Sequence, residues 1–303
     1  MIRMWPVALE ETDGRIDAVL ANLSGFSRVA CAALLDENRV KLNGKTVLKS
    51  ARVQFGDVIE VEFPDSEVGQ AEPTVELPVV FSDDDFVVID KPTGVAAHPS
   101  VGWSGPTVIG SLVAMGHVLT AYGPAERKGI VHRLDVGTSG LMVVAKSERA
   151  YVGLKDQFRD RTVNKIYHTL VQGRLDPMSG TIDAPIDRHP TSSYRFAVLD
   201  SGRASITHYD TLDAFAYASL LEIHLETGRT HQIRVHMSAL RHPCCGDLTY
   251  GADPKLAAKL GLDRQWLHAV TLGFMHPGTF EQVSFSSKYA LDLQAALDKV
   301  SDL

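Results

Sequence analysis

The sequence predicts an α+β protein in two parts, a small helix-first module and a larger domain dominated by strands. Between residues 15 and 63 two helical periodicities precede a hairpin signal and a closing strand. Residues 64–76, PDSEVGQAEPTVE, have no periodicity, two prolines and four acids without a base, and read as a flexible linker. From Leu77 to residue 303 most apolar runs are short or alternate with period two, with one clear helix in the middle and another at the end.

A chain of 303 residues accommodates one large domain and one small one. Its three cysteines, Cys31, Cys244 and Cys245, are too few for a disulfide framework, so a reducing cytoplasm is expected. The first fourteen residues lack the apolar stretch of a signal peptide, and no run approaches the roughly 18 apolar residues of a membrane span. A soluble, monomeric, cytoplasmic protein is the expectation. Net charge is −7, which at first argues against nucleic acid. The distribution argues otherwise: residues 127–174 hold ten Lys/Arg against four Asp/Glu. Such a run is usually a solvated face, but around a reactive centre it makes a phosphate-binding rim.

In the small module, RIDAVLANLSG places Ile16, Val19, Leu20 and Leu23 on one helical face and stops at Gly25. Ser27 is positioned to cap a second helix, RVACAALLDE. RVKLNGKTVL then carries Asn43-Gly44 at a hairpin turn, and GDVIEVEF up to Phe63 supplies the closing strand.

In the larger part, Val87-Val88-Ile89 is a buried-type strand, followed by a turn at Asp90-Lys91-Pro92-Thr93-Gly94 and by His98-Pro99. Next comes GIVHRLDVGTSGLMVVAKS, residues 129–147. Up to Asp135 it alternates like a strand, breaks at Gly137 and Gly140, and resumes as the buried-type run Leu-Met-Val-Val-Ala. Asp135 thus opens a tight loop, where a carboxylate caps the turn, forms an ion pair with an arginine, or does chemistry. Ser147 caps a helix through Arg161 whose Tyr151, Leu154 and Phe158 form a core stripe. Its Arg149, Lys155, Arg159 and Arg161 are left for the basic rim. NKIYHTLVQGRL reads as a strand with Tyr167, Thr169 and Val171 on one face and Ile166, His168 and Leu170 on the other. DAPIDRHPTSSYRFAV and the turn Ser201-Gly202-Arg203 look like a crossing strand and a loop. GRTHQIRVH reads as a further strand from Thr230, with Arg234 between Gln232 and His236 on one face. His231, His236 and His242 raise the question of a metal, but strand geometry sends the first two to opposite faces and no carboxylate or CxxC spacing completes a site. WLHA at 266–269 and FMHP at 274–277 suit terminal strands, and ALDLQAALDKVSDL is a short amphipathic helix.

HRLDVGTSGL resembles the signature of the RluA/RluD family of pseudouridine synthases, and DKPTG, KIY and GRTHQIRVH match that family's other motifs in order. Residues 15–63 resemble the S4-type RNA-binding domain, an αL module. The resemblance implies a mixed, mainly antiparallel sheet with flanking helices for the catalytic domain. It also implies that Asp135 is the catalytic residue, that Arg234 pairs with it, and that Tyr167 stacks on the target base. An aspartate beside a guanidinium stays ionised and is oriented by its hydrogen bonds. Arg133, His132, Arg203 and Arg229 are the expected RNA contacts of the catalytic domain, and Arg28, Lys41 and Lys45 those of the small module, with Arg39, Lys49 and Arg52 beside them.

The function so implied is isomerisation of uridine to pseudouridine in RNA, large-subunit ribosomal RNA being the favoured substrate and tRNA the alternative. No redox, phosphoryl or hydride step is involved, so no cofactor or metal is expected. A glycosidase-type hydrolase would need a second carboxylate about 5 to 9.5 Å from the first, and none is marked by a motif. A non-catalytic RNA-binding factor would have no use for the set Asp135, Tyr167 and Arg234.

Overall fold

The computed structural model describes residues 2–24, 28–62, 73–99, 103–124, 127–192 and 194–303. The small N-terminal domain consists of strand β1 (Ile2–Pro6), helices α1 (Ile16–Ser24) and α2 (Arg28–Asp36), and strands β2 (Val40–Leu42), β3 (Lys45–Thr46) and β4 (Val58–Glu62). Its sheet order is β1-β4-β2-β3. Ile16, Val19 and Leu20 of α1 meet Cys31 and Leu35 of α2 and Val40, Ile59 and Val61 of the sheet in one buried cluster. Asn43 and Gly44 both take positive φ, 50° and 76°, the turn geometry that matches strand twist in a two-residue hairpin. β1 escaped the sequence reading: a five-residue edge strand ending in Pro6 carries no alternation long enough to register. The expected stop at Gly25, cap at Ser27, end at Phe63 and most of the linker lie outside the described residues.

The large domain follows with β5 (Val79–Ser82), β6 (Phe86–Lys91), α3 (Val108–Ala114), β7 (Ser139–Ala145), α4 (Glu148–Arg159), β8 (Asn164–Gln172), β9 (Ser179–Asp183), β10 (Ile186–Arg188), β11 (Phe196–Val198) and β12 (Ile206–Ala214). It closes with β13 (Ala218–Leu225), α5 (Gln232–Ala239), α6 (Pro254–Leu260), β14 (Leu267–Met275), β15 (Gln282–Ser286) and α7 (Leu291–Ser301). Among the described residues, nine strands form one mixed sheet in the order β5-β6-β7-β14-β8-β13-β12-β9, with β15 on β14. The β7–β14 pairing is parallel and the others antiparallel. β10 and β11 make a separate hairpin.

Period-two alternation sorts the core. Along β6, Phe86 and Val88 face the helix α4, packing with Ala150, Tyr151 and Leu154, while Val87 and Ile89 face α3 and α5, packing with Val108, Leu112, Ile233 and Met237. The Ser147 hydroxyl accepts the Ala150 N–H at 3.1 Å and starts α4. α6 and α7 cover Leu170, Leu220 and Trp266.

Three expectations are corrected. Residues 130–135 alternate but do not form a strand: Ile130 makes a single bridge to Val144, and the Val143 N–H is then taken by the His132 imidazole, Nε2 accepting at 3.0 Å. A side chain replaces the ladder. GRTHQIRVH is not a strand from Thr230 but enters α5, with His231 at φ 57° as its first cap. Every residue from Gln232 to Met237 is buried, so the helix shows no polar face, and its sequence lacks the stripe by which a surface helix is recognised. The expected strand pieces Leu267–Ala269 and Phe274-Met275 belong to one continuous strand, β14, while Trp266 and His276-Pro277 flank it.

Candidate active site

The turn carrying Asp135 is held by its own backbone. The Asp135 carbonyl accepts the Thr138 N–H at 3.0 Å, and the Val136 carbonyl accepts the Gly94 N–H at 2.9 Å. The Gly137 carbonyl accepts Arg264 Nη1 at 2.9 Å, while Arg264 grips Asp292 of α7 through Nε and Nη2 at 2.6 and 2.9 Å. Gly140, at φ +111°, lies so close to Ala269 that a Cβ would fall 2.4 Å from its carbonyl oxygen; only glycine lets β7 and β14 meet here. Beneath the turn, the fully buried Lys91 donates to the carbonyls of Pro92 and Val95, each at 2.9 Å, and of Val136 at 3.4 Å. Burial lowers its ammonium pKa to about 7, against the pull of the Asp135 charge.

Arg234, on α5, comes from 99 residues further along the chain. Its Nη1 donates to Asp135 Oδ2 at 3.2 Å. Its Nε and Nη2 hold Asp247 at 2.6 and 2.9 Å. Burial works against the guanidinium charge, but the Asp247 and Asp135 carboxylates outweigh it and raise its pKa. The cation also lies 4.9 Å from the centre of the Tyr250 ring. Asp247 is the site member that no motif in the sequence marks. The available signal was satisfaction: a buried guanidinium has five N–H donors, more than one carboxylate can serve.

Asp135, Arg133, Tyr167, Arg229, His231 and Arg234 line a cavity of about 70 Å³. Arg133, Tyr167 and Arg229 also line a groove of about 640 Å³, so the two meet. β8 turns Tyr167 to the site and His168 away to Glu222 and Tyr289, as alternation requires. Burial raises the Tyr167 hydroxyl pKa above its usual range, with the Asp135 charge adding to it; the ring enters as a neutral surface. The groove is walled by Arg127, Lys155, Arg159, Arg161 and Lys165 as well, with Glu226 the acid among its described lining residues. Arg149 is not part of it: this side chain pairs with the buried Asp85 at 2.6 and 2.8 Å. His132 lines the groove as a neutral ring stacked on Phe158 at 4.6 Å, its pKa lowered by burial to about 3, and so brings no charge to it. Arg229 is exposed and donates to the Ala204 carbonyl at 3.3 Å. Arg203, next to Ala204 in the chain, is exposed but does not line the groove.

In the small domain the expected cations differ in availability. Arg28 and Arg15 both hold the buried Asp17, Lys49 pairs with Asp36, and Arg39 with Glu37. Lys41 and Lys45, exposed on the β2–β3 hairpin, engage no described acid.

Residues 85–239 match the family model for RNA pseudouridylate synthase, and residues 14–59 match that for the S4 domain. The chain belongs to the RNA pseudouridylate synthase family. An uncharacterized RNA pseudouridine synthase of Mycobacterium bovis is 58% identical over 298 residues, covering 97% of each chain. The ribosomal large subunit pseudouridine synthase D of Xanthomonas campestris is 39% identical over 299 residues, covering 95% of this chain and 89% of that one. The solved structure of human RNA pseudouridylate synthase domain containing 1 superposes with a TM-score of 0.59 at 28% identity, over 75% of this chain and 89% of that one. The S4-bearing pseudouridine synthase is an isomerase acting on RNA. A glycosidase reading loses its footing in the geometry too: Asp247, the acid nearest in function to Asp135, is held on both oxygens by Arg234.

Proposed function

We propose that this pseudouridine synthase modifies uridine in large-subunit ribosomal RNA, with Asp135 as the reacting carboxylate. The meeting of Asp135 with Arg234 at 3.2 Å, in a cavity that opens to a groove walled by cations, carries this reading. Support for the RNA class comes from relatives named ribosomal large subunit pseudouridine synthase D at 36 to 39% identity.

The roles follow from the chemistry. The target uridine leaves its stack, at a cost of a few kcal/mol that contacts in the pocket offset. Tyr167 stacks on the base, and Arg133 fills the vacated space or holds a phosphate. Asp135 acts as nucleophile or base at the sugar or the ring while Arg234 fixes its charge and angle. Arg229 and the groove cations hold the backbone, and Lys41 and Lys45 add contacts from the small domain.

The experiment uses RNA from a strain lacking the protein, with uridine labelled by tritium at C5. Isomerisation releases tritium, hydrolysis would free uracil, and binding alone would do neither. Wild type should release tritium and Asp135→Asn should not; release by that variant would remove Asp135 from the mechanism. Mapping pseudouridine in the same RNA should place the product in large-subunit rRNA, and product confined to tRNA would replace the substrate assignment.

A further inference from the structure

His231 has no part in the roles above, yet it sits at the reacting carboxylate. Its Nε2 is 3.9 Å from Asp135 Oδ2, too far for a hydrogen bond, and it faces the cavity that Asp135, Tyr167 and Arg234 line. The ring is fixed from behind. Nδ1 lies 2.7 Å from the Tyr250 hydroxyl, and that hydroxyl accepts the Phe196 N–H at 3.0 Å. Tyr250 is buried, and among the described residues no other acceptor is in reach of its O–H. A buried hydroxyl does not leave its proton unused, so Tyr250 donates to Nδ1. Nδ1 being the acceptor, the proton of the neutral imidazole is on Nε2, directed into the cavity without a protein acceptor. Phe196 and Tyr250 meet the ring edge-on at 5.6 Å each and hold its plane. The backbone at His231 is left-handed, φ 57°, and its side chain makes no cap bond to the helix it precedes; local helix capping does not account for this conformation.

We propose that His231 is a further catalytic residue, a neutral Nε2–H donor to a carbonyl oxygen of the uracil as it parts from its sugar. The inference rests on Asp135 being the reacting carboxylate. When the N1–C1′ bond breaks, its electron pair stays with the ring and is shared among N1 and the two carbonyl oxygens. A donor already in place stabilises that charge more than it stabilises the neutral base. His231 keeps its proton throughout; the pair forms the new C5–C1′ bond, the C5 proton then leaves to solvent, and N1 takes up a proton from solvent, so the ring is neutral again in the product. Burial lowers the His231 pKa, in keeping with the neutral form.

The test combines kinetics and tautomer. Tritium release from total RNA of the deletion strain is followed with enzyme in excess, for wild type, His231→Phe, His231→Gln and Asp135→Asn. His231→Phe should lose about 10²-fold in the rate at saturating enzyme, with the half-saturating concentration within about threefold of wild type. His231→Gln, which restores an N–H donor, should recover a large part. Nitrogen-15 NMR of the wild-type imidazole should report the Nε2–H tautomer, a result that needs no variant to fold. A wild-type rate in His231→Phe, or an Nδ1–H tautomer, overturns the proposal while Asp135→Asn stays inactive and the parent reading stands. Activity in Asp135→Asn overturns both.

Discussion

Asp247 grips Arg234 through two hydrogen bonds of 2.6 and 2.9 Å, leaving the third nitrogen of the guanidinium to face Asp135. The buried acid aims the arginine, and the arginine aims the carboxylate. Replacing Asp247 by Asn keeps the shape but removes the charge and half of the pairing. The expected result is a loss of about 10- to 100-fold in the saturating rate with nearly unchanged RNA affinity. Asp247→Ala should also destabilise the fold by about 3 kcal/mol, because a buried guanidinium loses its main partner. Single-turnover rates and urea unfolding separate the two effects, and a wild-type rate in Asp247→Asn would show that Asp135 needs no such support.

In the proposed mechanism Tyr167 contributes a ring, its hydroxyl being held neutral by burial. Tyr167→Phe should therefore keep most of the binding of a flipped base, while Tyr167→Leu should lose about 1 to 3 kcal/mol of it. Comparing the half-saturating enzyme concentrations of the two variants tests this. Equal losses would assign the role to the hydroxyl.

Of the small-domain cations, Lys41 and Lys45 are available to phosphate and Arg28 is committed to Asp17. Lys41→Ala with Lys45→Ala should flatten the dependence of log affinity on log salt by about 0.7 to 0.9 per lost phosphate contact. Arg28→Ala should leave that slope unchanged and lower thermal stability slightly. Filter binding across a salt series decides, and an unchanged slope in the double variant would remove the hairpin from the RNA interface.

His132 is half-buried and held neutral, its folded pKa lowered by desolvation to about 3 from an ordinary 6.5. Between those values the unfolded chain binds a proton that the folded chain does not. Stability therefore falls as pH drops through that window, by up to about 1.4 kcal/mol per unit for this group. His132→Gln can still accept the Val143 N–H through its amide oxygen and does not titrate. The drop in unfolding free energy from pH 6.5 to 4.5 should be smaller in that variant by about 1 kcal/mol or more; the same drop in both proteins would mean that His132 is protonated in the fold.

What could be read from the sequence was what local pattern encodes. The uninterrupted apolar run Val87–Ile89 and the period-two alternation along Ile166–Val171 placed two strands, the second with the facing of Tyr167, and Ser147 marked the start of α4 to the residue. Two misreadings share one cause: at 130–135 and 230–236 apolar and polar residues alternate because individual side chains such as His132, Asp135, Gln232 and Arg234 have specific partners, and not because a sheet has two faces. Asp247 and Tyr250 could not be found by pattern at all. Their importance comes from what Arg234 and His231 need once buried, a requirement that appears only when residues distant in sequence come together.

Those distances in sequence bear on the order in which the protein becomes useful. The small domain closes its own core within residues 7–61, whereas Asp135 depends on partners 99 residues away at Arg234 and its turn on one 127 residues away at Arg264. Contacts of such long range form late, after the loop entropy between them has been overcome. The proposed grip on RNA thus rests on near neighbours in sequence, and the means to alter it on distant ones.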